Sequence, residues 1–161
     1  MSQNSATQQI YLETIAAAGK RAPAGMSAWI SELQARAASR FAEVGFPAAR
    51  QEEWKYTDVG PIARAGFRPA SKGLNGVELA GLEGFLFKDL GCHRLVFVNG
   101  YYAPALSQLG GLPAGVTVSG LADALSARPE VLEAYLGRCL PDVSHGFTAL
   151  NTALLADGAY V

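Results

Sequence analysis

A chain of 161 residues, half of them apolar, is long enough to bury a core, which excludes a wholly disordered protein. Thirteen Lys and Arg against fourteen Asp and Glu leave a net charge of -1, which argues against a chain built to neutralise phosphates or to lie on an anionic membrane. Eighteen glycines, above the average share of about 7%, predict many turns and short elements rather than a plain helix bundle.

Residues 1–47 read as a helical N-terminal segment and residues 48–161 as an α+β segment, the two making one compact region. Ser5 is placed to cap a first helix whose apolar face would hold Ile10, Ile15 and Ala18, with Leu12 off that face. That helix would end at Gly19, with Lys20 and Arg21 beyond. The second helix has the stronger pattern. Ser27 is a fitting N-cap, and Met26, Ile30, Leu33, Ala37, Phe41 and Val44 fall within an arc of about 80°. Gly45 supplies the stop, and Pro47 prevents resumption.

Beyond Ala48 the period changes. Trp54 and Tyr56, two apart within Gln51–Thr57, predict a strand or an extended piece, with Trp54 largely buried and Glu52 and Glu53 pairing with Arg50 or Lys55. Thr57 or Asp58 is placed to cap a short helix running through Ile62. Pro69–Gly84 reads as a glycine-studded loop. The run Arg94–Val98 predicts a strand buried on both faces, and Asn99-Gly100 predicts a hairpin turn into Tyr101-Tyr102. A turn at Leu112–Gly115 leads to a further predicted strand, Val116–Val118. Three short helices follow: one capped by Ser119, one opened by Pro129 and carrying Val131, Leu132, Tyr135 and Leu136, and one opened by Ser144 with Phe147, Leu150 and Leu154 on one face. Asp157-Gly158 is a second hairpin signal, with Ala159–Val161 as the outgoing strand.

Candidate chemistry is sparse. Cys92 and Cys139 are too few and too far apart for a disulfide framework, and a reducing, cytoplasmic home is the expected one. No run approaches the ~18 to 20 apolar residues of a membrane span, and the polar, uncharged Met1–Thr7 does not resemble a secretory signal. His93 abuts Cys92, but neighbours on an extended chain point to opposite faces. No Cys-x-x-Cys or His-x-x-x-His is present to anchor a zinc site. Cys139 sits beside Arg138, a cationic neighbour of the kind that activates a thiol, but a structural or idle cysteine is the commoner case. Gly110–Gly115 lacks the Gly-Lys-Ser/Thr ending of a phosphate loop. The carboxylates of Glu52 and Glu53 would diverge on an extended segment. The reading from residues alone is therefore a domain with no assigned catalytic, cofactor-binding or metal residue. The alternative is a small thiol- or histidine-dependent enzyme using Cys92, His93, Cys139 or His145.

Three stretches, in order, carry a resemblance. Gly45-Phe46-Pro47-Ala48-Ala49-Arg50-Gln51-Glu52-Glu53-Trp54-Lys55-Tyr56-Thr57-Asp58 resembles a signature near the start of SufD proteins. Arg94 to Ser107, with its Val-Phe-Val-Asn-Gly-Tyr-Tyr centre, resembles that family's next block, and Phe147–Ala153 followed by Asp157-Gly158 fits a third. The likeness spans Met26 to Val161, with Pro69–Gly91 matching poorly. SufD is a component of the SUF iron–sulfur cluster assembly system. The resemblance implies an α+β N-terminal region of helices packed with a small sheet, cut at the entry to a right-handed parallel β-helix. A C-terminal segment beyond the β-helix would engage the SufC ATPase. It implies a noncatalytic, protein-interaction role, with SufB and SufC as partners met mainly through the missing downstream part, and with neither nucleic acid nor membrane. No cofactor is expected in this chain, the cluster residing transiently on the full complex. Residues for cluster chemistry and SufC binding would lie beyond Val161, so none transfers here. Ala159–Val161, without a following coil to cover it, is expected to expose apolar side chains and unpaired backbone.

Overall fold

The computed structural model describes residues 3–19, 27–87, 90–139 and 145–161. Lys20, Arg21, Met26 and Ser144 lie outside them. Among the described residues the fold is α+β, about half of it helix, with two small antiparallel sheets. The chain forms two compact units, Met1–Pro69 with Glu130–Leu155 and Ala70–Pro129 with Ala156–Val161. The first unit thus combines the helical segment with a helix from the far end of the chain.

In that unit, α1 (Gln3–Gly19) and α2 (Ala28–Val44) carry Tyr11, Ile15, Ala37 and Phe41 into one core with Ala149 and Ala153 of α7 (Gly146–Ala153). The predicted face of α2 is the buried one: Ile30, Ala37 and Phe41 are buried, and Leu33 and Val44 half-buried. Gly45 ends α2 with φ 62, and its N–H donates to the Phe41 carbonyl at 2.9 Å. Helix α1 departs from the expected face. It starts at Gln3, so Ser5 lies inside its first turn rather than capping it, and Ile10 is exposed. Tyr11 takes the core position because its hydroxyl is satisfied there. It donates to the Ile62 carbonyl at 2.9 Å and accepts from the Phe67 N–H at 3.3 Å. Leu12 packs against the same core.

Helix α7 also differs from its expected face. Its deepest residues are the small Gly146, Ala149 and Ala153, whereas Leu150 and Leu154 pack at the edge of the core. Small residues spaced three and four apart let a helix approach its neighbour closely, and they seat α7 on α2. Phe46, just past α2, joins the aromatic rings: Tyr11 at 4.9 Å, Phe41 at 5.2 Å and Phe147 at 5.6 Å, all edge-on.

The segment Gln51–Thr57 is not a strand. It closes into consecutive tight turns with a 3-10 turn at Glu52–Trp54, in which the Trp54 N–H donates to Gln51 O and the Thr57 N–H to Trp54 O, both at 2.9 Å. The Ala48 N–H also finds the Gln51 side chain at 3.0 Å. These local bonds satisfy the backbone without a neighbouring strand, which overrides the alternation of the aromatics. Trp54 is half-buried rather than buried, resting on Phe147 with ring centroids 5.6 Å apart. Next comes α3 (Gly60–Ala65), whose first N–H donates to Asp58 Oδ1 at 2.8 Å. Helix α6 (Pro129–Glu133) is shorter than expected. Only Leu132 is buried in it, with Val131 and Tyr135 exposed, and Gly137 turns the chain with φ 77.

The second unit begins with α4 (Leu79–Leu82) and the hairpin β1 (Phe97–Val98) to β2 (Tyr101–Tyr102). Asn99 and Gly100 take φ 52 and 85, the left-handed pair that a two-residue hairpin needs. Val98, Ala103 and Leu106 form the core, with Val77, Leu82 and Val96 against it. The run Arg94–Val98 is not buried on both faces: Val98 is buried, and Arg94 to Phe97 are half-buried. The strand is short because Ser107 Oγ accepts the Val96 N–H at 2.8 Å, replacing a ladder bond with a side-chain one.

Val116–Val118 forms no strand. The strand comes later as β3 (Ser119–Gly120), so the cap position of α5 (Leu121–Ala127) passes from Ser119 to Gly120. Its partner is β4 (Ala159–Tyr160), antiparallel with Ser119 opposite Tyr160 and Gly120 opposite Ala159. Asp157-Gly158 is therefore no hairpin turn, since its outgoing strand pairs with a distant segment.

Candidate functional site

The residues weighed for thiol or histidine chemistry fall in different units. Cys92 and His93 belong to the second, Cys139 and His145 to the first. Both thiols are free and exposed. His145 occupies the cap position of α7, its carbonyl accepting the Ala149 N–H at 3.1 Å. Its Nδ1 lies 3.4 Å from Glu53 Oε2, both side chains being substantially exposed. The neighbouring carboxylate takes a different partner, Glu52 Oε1 lying 3.9 Å from Lys55 Nζ. Gly110–Gly115 is a bend and a turn, closed by the Val116 N–H on Pro113 O. Among the described residues, no group of three or more His, Cys, Asp or Glu is placed to hold a metal ion. Among them too, no helix is long and apolar enough to cross a membrane.

The geometry instead offers surfaces. In the first unit, the turn around Trp54 is fixed at its base by Phe147 and holds Tyr56 at 92% exposure, with Lys55 Nζ 5.5 Å from the tyrosine ring centroid. In the second unit, an open cleft of about 210 Å³ lies beside β2, lined by Lys72, Leu74, Tyr101, Tyr102 and Pro104 among others. On and after α4, Leu79, Phe85, Phe87 and Leu90 are exposed, with Leu86 turned partly inward between the two phenylalanines. In sequence this last group is masked because Gly81 and Gly84 interrupt the apolar pattern between Leu79 and Phe85. The signal present is the unbroken apolar run Phe85-Leu86-Phe87.

Residues 5–161 match the family model of the SufBD protein N-terminal region. The chain belongs to the SufBD family. It is also 33% identical, over 125 residues and 78% of its length, to a curated protein of Synechocystis sp. named as an iron-sulfur cluster assembly SufBD family protein. The alignment covers 27% of that relative, so the chain spans about a quarter of its length. No solved structure matches the chain. In this SufBD N-terminal region, the block around Trp54-Lys55-Tyr56-Thr57 is the buttressed turn, and the block around Asn99-Gly100 is the β1–β2 hairpin. The third block, Phe147–Ala153, is the body of α7.

Proposed function

We propose that this chain is the N-terminal region of a SufD-type component of the SUF iron–sulfur cluster assembly system, working through protein contacts rather than through catalysis of its own. The family match from residue 5 to residue 161 carries the reading. The curated relative, named for iron–sulfur cluster assembly, supports the process. In this reading SufB and SufC are the partners, the remainder of a SufD protein makes most of the contact with them, and the cluster is cargo of the whole complex. The cytoplasm is the compartment.

The test is co-expression of the native gene product with SufB and SufC, followed by tandem purification and transfer of cluster to an apo-ferredoxin. The expected result is a stable complex that supplies clusters, while residues 1–161 alone neither turn over ATP nor develop a cysteine-dependent chromophore on anaerobic reconstitution. No copurification with either partner would overturn the assignment to the complex. ATP hydrolysis or a stoichiometric cluster on residues 1–161 alone would overturn the noncatalytic role.

A further inference from the structure

We draw no further inference here: the strongest candidate, the surface patch of exposed apolar side chains at Leu79, Phe85, Phe87 and Leu90 on and after helix α4, carries nothing because nothing in the structure shows what covers it.

Discussion

The Asp157 carboxylate accepts the backbone N–H of Tyr102 at 2.7 Å, joining two residues 55 apart in the chain. The other carboxylate oxygen accepts the N–H groups of Ala122 at 3.0 Å and Gly158 at 2.8 Å. One half-buried side chain thus ties the hairpin strand β2, the first turn of α5 and the start of β4 together. It also satisfies a donor at the α5 N-terminus, where a negative charge is favoured by the helix dipole.

Asp157→Ala leaves these amides without their acceptor, and the expected loss is about 2 to 4 kcal/mol, since each stranded, partly buried amide costs about 1 to 3. Asp157→Asn keeps one acceptor oxygen but turns an amide toward a donor, so its loss should fall between the parent and the alanine variant. Urea unfolding of all three proteins measures this. An alanine variant within about 0.5 kcal/mol of the parent would place the carboxylate outside the stabilising network.

Gly146 opens α7 where a Cβ would run into the Gly45 carbonyl oxygen, and backbone cannot yield that space cheaply. Gly146→Ala should therefore destabilise by about 3 kcal/mol or more, at the upper end of overpacking effects. Gly81 in α4 has nothing within 4 Å of a built Cβ. Gly81→Ala should be neutral or stabilising, because alanine favours the helix by about 1 kcal/mol. Thermal melts showing the two variants equal would refute the close approach of α7 to Gly45.

Gln8 on α1 donates through its amide nitrogen to Phe41 O at 2.7 Å and to Ala42 O at 2.8 Å, satisfying carbonyls at the end of α2. Loss of these bonds in Gln8→Ala should cost about 1 to 2 kcal/mol. Gln8→Glu should cost more than alanine, because a carboxylate replaces a donor at the negative end of the helix dipole. Chemical denaturation at neutral pH decides the order. A glutamate variant more stable than the alanine variant would count against this capping role.

Trp54 and Tyr56 separate packing from display. Trp54→Ala should cost about 1 to 3 kcal/mol, below the ~3 to 5 of a fully buried tryptophan, because the ring is only half-covered by Phe147 and its surroundings. Tyr56→Ala should stay within about 0.5 kcal/mol of the parent, as its side chain stands in solvent at 92% exposure. Equal losses at the two positions would mean that the turn is packed differently from the arrangement seen here.

What the sequence determined by itself was whatever depends on neighbours along the chain. The α2 stripe from Ile30 to Phe41 reads directly from helical periodicity, and Gly45 stops that helix with the positive φ its type allows. The Asn99-Gly100 turn followed from the same logic, since two consecutive left-handed residues suit few other pairs. The three motif blocks were legible as family signatures, although their shapes were not. Tertiary structure decided the rest. Tyr11 displaced Ile10 from the core because carbonyl and amide partners tens of residues away satisfy its hydroxyl. The aromatics of Gln51–Thr57 alternate like a strand, yet among the described residues no strand lies alongside, and local turn bonds satisfy the backbone. Asp157-Gly158 looked like a hairpin because local pattern cannot reveal that β4 pairs with β3, nor that one carboxylate gathers amides from three places in the chain. Periodicity records which side of an element is apolar, whereas partners distant in sequence decide which polar groups can be buried and which strands find an edge.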